Sequence, residues 1–523
     1  MDWSLRYAEL SEMMLRVCRL CPRLPVLGIS TLHPRHAPPP AQLQLLRELG
    51  AQTPPRRRVP SLVSLAIRWL RCAVFASQAT LGIAALNIRF RSELKRLSRE
   101  PARVILRTWR FGPPAPEASD DFYYGTLPQQ LQDRGVSSVL LCGDTRERFD
   151  GAFANAVLRH RDIRRVPEQL LIPVWAPLAV AWKQWTTAVA LWRLARQADE
   201  ERFAAVCAAA CAGSVQPITL CNTLQFYIAR SAVKRWRARV FVTFYEGQPW
   251  ERAAWHGAKA ADPTCVVVGY QHTVLKPFAV SVVSPQRTPW APAVPDVVLC
   301  LGEVTRGMMA EGHAPFGDRL VAFGTCRRTT DDGGPSQPCP DRRTVLVIPE
   351  GILSEARCLF DFATKAAAGL RDHRFIFRCH PVLPFAQVRA HLQAAPERLP
   401  NIEISEDRSF AEDCARSSVA LYRGSSAVLY AVLQGLKPFY VDDDRFPDAD
   451  PLFALTQWKQ PVLSPEGLQD GLRRYASTPP AEALDAWRLA TRYVEAYARP
   501  VNDESLERFL DAAGLRRQEA CLG

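Results

Sequence analysis

A strand-like run that ends in a glycine and two hydroxyls, Val419-Ala420-Leu421-Tyr422-Arg423-Gly424-Ser425-Ser426, opens directly into an apolar helical stretch that stops at Gly435. Backbone N–H groups at a helix start, the positive end of its dipole and two short hydroxyl donors suit an anion such as a phosphate. The structural use of the same serines is an N-cap, so this signal alone carries either meaning. Cys379-His380-Pro381 follows the run Phe375-Ile376-Phe377-Arg378. That placement expects His380 at a strand's carboxyl end, where α/β proteins hold ligands. An imidazole there could donate to a leaving phosphate or deliver a proton near neutral pH. Pro349-Glu350-Gly351 closes the run Val345-Leu346-Val347-Ile348. Beside an acceptor hydroxyl, Glu350 has the chemistry of a general base, although a strand-end glutamate is also a common cap or ion-pair partner. Successive strands of one lobe would bring all three groups to a single edge.

Upstream, Phe244-Tyr245-Glu246-Gly247-Gln248-Pro249-Trp250-Glu251 and Gly269-Tyr270-Gln271-His272 end two further strand-like runs with polar and aromatic residues. Tyr245, Glu246, Glu251, Gln271 and His272 have the mixed character that suits a hydroxyl-rich acceptor such as a sugar. Other signals are weaker. Cys18 and Cys21, followed by His33 and His36, approach zinc-site spacing, but the cysteines fall in an arginine-rich helical pattern and Pro22 follows at once. Asp442-Asp443-Asp444 reads as a solvated turn after a strand rather than a cation site. The chain has no P-loop, GxGxxG or GxSxG in a suitable context, which weakens ATPase, dehydrogenase and hydrolase readings. No metal site is expected.

The elements that must position these groups alternate from Arg103 onward between short β-branched runs and helical segments, the pattern of a parallel α/β sheet. The first series runs from Val104-Ile105-Leu106 through the expected helix Tyr124 to Arg134 and Val139-Leu140-Leu141-Cys142, then to Asp296-Val297-Val298-Leu299-Cys300. Between them, the Trp- and Ala-rich stretch Ile172 to Ala198 reads as a long buried or interdomain helix. Thr329 to Pro338 is the clearest linker by its turn residues, and a second α/β series begins beyond it. The expected organisation is a basic helical region over 1–100, a Rossmann-like acceptor lobe over 101–328, a linker over 329–340, and a Rossmann-like nucleotide lobe with terminal helices over 341–523.

A length of 523 residues with 48% apolar content excludes a disordered chain. The net charge of +13 invites an anionic partner, but residues 1–110 hold 19 basic and 6 acidic residues, so the excess lies in the first fifth. No nucleic-acid reading module accompanies it, and nucleic acid is not an expected partner. Helical stretches near Leu5 to Leu20 and Val63 to Arg99 set arginines beside Trp69, Leu70 and Phe75, a composition suited to an anionic membrane surface and equally to an ordinary solvated lobe. Cys72 to Ile88 is apolar yet short for a span and reads as a buried or interfacial helix. Residues 1–40 do not resemble a cleaved signal, and the scattered cysteines, mostly in apolar runs, suggest a reducing compartment. The expected location is the cytoplasm, peripheral to the inner face of its membrane.

Glu350-Gly351, His380-Pro381 and Ser425-Ser426, in that order, resemble the acidic-glycine, His-Pro and serine motifs of GT-B glycosyltransferases with CMP-activated donors, the bacterial sialyltransferases and CMP-Kdo capsule transferases. Over roughly Arg103 to Val441 the wider pattern is similar to bacterial surface-carbohydrate biosynthesis proteins. The sialyltransferase motif has two acids before its glycine, whereas Pro349 precedes Glu350 here. The resemblance implies an α/β GT-B-like fold, two Rossmann-like lobes facing a cleft, and transfer of a nonulosonic acid or Kdo-like sugar from a CMP donor onto a bacterial surface glycan or its lipid-linked precursor. It implies no metal or cofactor beyond that donor substrate. By the same resemblance Glu350 and His380 are catalytic, Gly351, Pro381, Gly424, Ser425 and Ser426 bind the donor, and Tyr245, Glu246, Glu251, Gln271 and His272 bind the acceptor. A CDP-glycerol or CDP-ribitol phosphotransferase and a non-catalytic envelope-assembly scaffold remain alternatives.

Overall fold

The computed structural model describes residues 3–22, 24–33, 40–50, 59–110, 121–144, 149, 151–159, 163–275, 293–312, 319–326, 336–443 and 448–516. His36, Asp444, the proline-arginine stretch 54–58 and residues 329–335 of the expected linker lie outside them.

Seven parallel strands form the first sheet: β1 (Val104–Arg110), β2 (Ser138–Asp144), β3 (Arg165–Pro167), β4 (Val240–Phe244), β5 (Val266–Tyr270), β6 (Val297–Cys300) and β7 (Leu320–Ala322). Their spatial order is β3-β2-β1-β4-β5-β6-β7. Six parallel strands form the second: β8 (Thr344–Pro349), β9 (Arg374–Arg378), β10 (Ile402–Ser405), β11 (Val419–Arg423), β12 (Lys437–Val441) and β13 (Gln460–Val462). Their order is β10-β9-β8-β11-β12-β13. Each sheet therefore runs outward in both directions from a central pair, β1/β4 or β8/β11. This is the Rossmann-like order, with a topological switch point at the carboxyl ends of that pair. The expected α/β class with two such lobes is what the chain forms.

Continuous apolar runs are what strands covered on both faces require. Val240, Val242, Val268, Leu299 and Val321 of the first sheet share a buried core with Leu127, Leu131, Phe153 and Phe244. Contacts divide the chain into two units, the first Met1–His272, Ala279–Arg328 and Pro500–Gly523, the second Thr273–Phe278 and Thr329–Arg499. Two features of this division differ from the sequence expectation. The amino-terminal helices belong to the first unit, where the Asn222 amide donates to the Gly28 carbonyl at 2.9 Å. The helix Asp503–Ala512, expected with the nucleotide lobe, returns to the first sheet and completes its core with Leu506, Phe509 and Leu510.

Helices also differ in extent and burial. The segment expected over Tyr124 to Arg134 is helical only from Leu127 to Asp133. The helix Leu62–Arg89 contains the whole Cys72 to Ile88 stretch, with Ser61 as an N-cap accepting from the Ser64 N–H at 3.1 Å. It buries Leu65, Cys72, Ala76, Ala79, Ile83 and Leu86 along one face and packs against the helix Ala176–Gln197. The latter is half-buried rather than buried, because Trp182 is 61% exposed while Val180, Gln184, Ala188 and Leu191 point inward. Cysteines of the first unit behave as small apolar groups: desolvation pushes the Cys207, Cys211 and Cys265 thiols up to about 12.

Candidate functional site

In the second unit, strand register assembles the three sequence motifs. Arg423 of β11 pairs with Pro349 of β8, which sets Gly424 beside Glu350, and Val347 pairs with Phe377, which carries Glu350 and His380 past the ends of adjacent strands. The strands concerned are β9, β8 and β11, three neighbours that include the switch pair. Both glycines are needed there. Gly424 has φ +73°, and a Cβ on it would fall on the Glu350 carboxylate. A Cβ on Gly351 would come 2.8 Å from His380 Nδ1 and 3.1 Å from the ring carbons Cγ and Cε1, so the imidazole lies over bare backbone. His380 Nδ1 accepts from the Val382 N–H at 3.3 Å, which places the ring proton on Nε2. Ser425 is 5% exposed. Ser426 occupies the N-cap of Ala427–Leu433 but makes no side-chain capping bond, so its hydroxyl is not committed to that structural role. Pro381 is exposed just past His380.

Arg423 belongs to the scaffold of this edge. Its guanidinium is buried, donating to Glu355 at 2.7 Å, the Val441 carbonyl at 2.9 Å and the Tyr440 hydroxyl at 3.2 Å. A shallow cavity of about 590 Å³ lined by Thr364, Lys365, Arg389 and Arg398 lies toward the end of the Leu353–Gly369 helix, away from these strand ends.

In the first unit, the five acceptor candidates divide. Phe244 of β4 pairs with Tyr270 of β5, so Glu246 and His272 leave their strands side by side. His272 Nε2 lies 3.0 Å from Glu246 Oε1, and Gln248 Nε2 donates to Glu246 Oε2 at 3.2 Å. The imidazole is walled by Phe244 at 4.4 Å and Tyr123 at 4.9 Å between ring centroids. Asp121 orders the Tyr123 segment, accepting from the Tyr123 and Tyr124 N–H groups at 2.9 Å each and from the Thr108 hydroxyl at 3.1 Å. A carboxylate-held imidazole is an arrangement for proton transfer.

Tyr245, Gln271 and Glu251 are at most 1% exposed and His272 is 7% exposed, and the bonds of Gln271 and Glu251 serve the framework. Gln271 accepts the Leu301 N–H at 3.0 Å. Glu251 accepts the N–H groups of Glu246 at 3.0 Å and Gln248 at 3.0 Å, closing the turn through Gly247, whose φ is +76°. Burial first, then the Glu246 charge, holds the Glu251 carboxyl well above the usual carboxylate range. A carboxyl raised on folding binds its proton more tightly in the native state, so stability falls as pH rises from the unfolded value toward the native one. Glu251→Gln is expected to flatten that fall. Thermal melts at several pH values above 4 check this, and an unchanged slope would remove the assignment.

Sequence reading passed over a small cavity of about 30 Å³ in the first unit, lined by Trp109, Asp144, Phe149, Glu168, Asn222 and Trp250. Space of this size holds a water or two rather than a sugar. Trp109 is the penultimate residue of β1 and Asp144 ends β2, and the alternation of those strands gives no signal that their tips meet Trp250. Among the described residues no three His, Cys, Asp or Glu side chains gather as a cation site. His33 instead hydrogen-bonds the Val26 carbonyl at 2.8 Å, and Cys18 is buried.

No protein-family model matches the chain, and no curated protein matches it in sequence. Among solved structures, the glycotransferase of kitacinnamycin is 14% identical with a TM-score of 0.45, covering 80% of this chain and 100% of its own. CalG4, the calicheamicin glycosyltransferase, is 15% identical with a TM-score of 0.43, covering 78% and 98%. The UDP-GlcNAc 2-epimerase from Neisseria meningitidis, solved with UDP-GlcNAc, is 11% identical with a TM-score of 0.42, covering 78% and 100%.

Proposed function

We propose that this chain is a sugar-nucleotide-dependent glycosyltransferase. The observation that carries the reading is the meeting of Glu350-Gly351, His380 and Gly424-Ser425-Ser426 at the ends of three adjacent parallel strands, beside a switch point. His380 Nε2–H and the serine hydroxyls are donors for the phosphate that leaves with the nucleotide. Glu350 accepts from a hydroxyl. The acceptor oxygen forms a bond to the anomeric carbon as the carbon–phosphate-oxygen bond breaks, its electron pair staying on the phosphate. The acceptor proton goes to a base, and the candidates are Glu350 at this edge and the imidazole of His272, whose carboxylate partner Glu246 lies 3.0 Å away. In this reading the His380 and serine donors stabilise a single leaving phosphate by hydrogen bonds, without a metal.

The finer proposal is a CMP-linked nonulosonic acid or Kdo-like donor and a bacterial surface glycan or lipid-linked acceptor, worked on in the cytoplasm. The order of the Glu-Gly, His-Pro and Ser-Ser motifs supports it. The test incubates the full chain with CMP-sialic acid, CMP-Kdo, UDP-GlcNAc and CDP-glycerol and follows free nucleotide. Turnover of a CMP sugar upholds the proposal, turnover of UDP-GlcNAc keeps the class and replaces the donor, and turnover of CDP-glycerol alone makes the chain a phosphotransferase. With the active donor, Gly424→Ala is expected to raise KM at least about tenfold, since a left-handed alanine costs about 1–2 kcal/mol and its methyl displaces Glu350. An unchanged KM would take the donor site away from this edge.

A further inference from the structure

We infer that the first unit lies on an anionic membrane surface through the helix Leu62–Arg89 and the start of Ala176–Gln197. The inference does not depend on the transfer chemistry. Seven large apolar side chains on the first helix are exposed, among them Val63 at 71%, Leu70 at 55%, Val74 at 58%, Leu81 at 71% and Ile88 at 80%. At 3.6 residues per turn, Val63, Ile67, Leu70, Val74, Leu81 and Ile88 fall within about 60° of arc. They make one stripe along a helix about 42 Å long. The opposite face is the buried one, so this helix is apolar on both sides, and among the described residues nothing in its own unit covers the outer side. The second helix adds Leu178 and Trp182, and the turn just before it adds Val174 and Trp175, all exposed. The two helices are joined where Trp69 Nε1 donates to the Ala181 carbonyl at 2.8 Å and its ring meets Trp185 at 5.5 Å. Trp182, exposed, is the next residue.

Charge selects the occupant. Residues 49–92 and 169–198 contain no Asp or Glu at all, while Arg68, Arg71, Arg89, Lys183, Arg193 and Arg196 are exposed on these two helices. Arg71 and Arg89 project from one flank of the apolar stripe, about 80° around the helix. Apolar side chains with exposed tryptophans, bordered by cations alone, match the boundary between anionic headgroups and acyl chains. By length and hydropathy the first helix could also cross a bilayer. Its packed inner face argues for lying in the plane, since spanning would strip Cys72, Ala76, Ile83 and Leu86 from their protein contacts. That inner face also reaches the strand-end cavity of the first sheet: Phe75 packs on Phe149 at 6.2 Å, and Phe149 lines the cavity.

The test is flotation of the full chain with vesicles of phosphatidylcholine, alone or with about 30% phosphatidylglycerol. Binding to the anionic vesicles is expected to be at least about tenfold tighter and to weaken with salt. Leu70→Glu/Val74→Glu/Leu81→Glu should lower it at least about tenfold, and Arg71→Glu/Arg89→Glu should abolish the preference for anionic lipid. These side chains are exposed, so thermal melting of the variants should match the parent and separates lost docking from lost fold. Equal binding by the triple variant overturns the inference, as does absence of binding to anionic vesicles. A dimer in light scattering that the triple variant dissociates would assign the face to a second copy instead. Resistance of vesicle-bound protein to alkaline carbonate would replace surface docking by a span.

Discussion

His272→Ala is expected to lower kcat for the proposed sugar transfer by about 100- to 10,000-fold while leaving the KM for the sugar nucleotide within about threefold. His272 is not among the groups proposed to hold the donor phosphate. β4 and β5 hold Glu246 and His272 side by side, with the carboxylate already 3.0 Å from the imidazole. A proton acceptor acts only as the acceptor hydroxyl becomes a nucleophile, so its loss shows in kcat. Glu246→Gln keeps the side chain's shape and removes the charge that orients the ring and stabilises the imidazolium. It is expected to cost about 10- to 1,000-fold, and the double variant should be no slower than His272→Ala alone, because the two groups act as one. Thermal melting reports whether the aromatic wall of Tyr123 and Phe244 survives the substitution. A full kcat in His272→Ala, with loss in Glu350→Gln, would move the base to Glu350 and leave the dyad as a structural ion pair.

The dyad shows what the sequence could and could not convey. Glu246 and His272 were visible as polar residues at strand ends, but their pairing depends on the register of Phe244 with Tyr270, which no local pattern encodes. Glu251, five residues from Glu246, had the same appearance and is instead the acceptor that closes its own turn. In the second unit the motifs were legible as a set, because each ends a long apolar run and the Rossmann-like order makes those runs neighbours. Three-residue strands β3, β7 and β13 sit at or near sheet edges and are too short for any periodicity to register. The return of Asp503–Ala512 to the first sheet was hidden for another reason. Its amphipathic face specifies that it must be buried and leaves open which sheet receives it. The Leu62–Arg89 helix reads as apolar in sequence, yet only packing reveals that half of this surface is directed outward.

Arg107→Ala is expected to destabilise the first unit by about 3–5 kcal/mol, a large share of the roughly 5–15 kcal/mol that holds a domain folded. Arg107 is wholly buried in the middle of β1, a position where a strand pattern calls for an apolar residue. Its Nε and Nη2 donate to the two oxygens of Glu168 at 3.1 and 3.2 Å, and Gln225 donates to the same carboxylate at 2.9 Å. The guanidinium lies 3.5 Å from the Trp109 ring centroid and 4.1 Å from that of Trp250. Burial draws its pKa down and Glu168 pushes it back. Even Gly143 on β2 is committed, since a Cβ there would come 2.6 Å from Arg107 Nη2 and 2.9 Å from Glu168 Oε1. Truncating the arginine leaves a buried carboxylate with, among the described residues, the Gln225 amide as its hydrogen-bond partner, and the cost is chiefly that uncompensated charge rather than the bond's own net value. Arg107→Met/Glu168→Leu is therefore expected to recover at least about half of the single-variant loss in urea unfolding followed by tryptophan fluorescence. If the double variant is as unstable as Arg107→Ala, the stability resides in the cation's contacts with Trp109 and Trp250. Retention of this costly pair would then be a matter of fixing the two indoles at the strand-end cavity, where an apolar substitute would leave them free to turn.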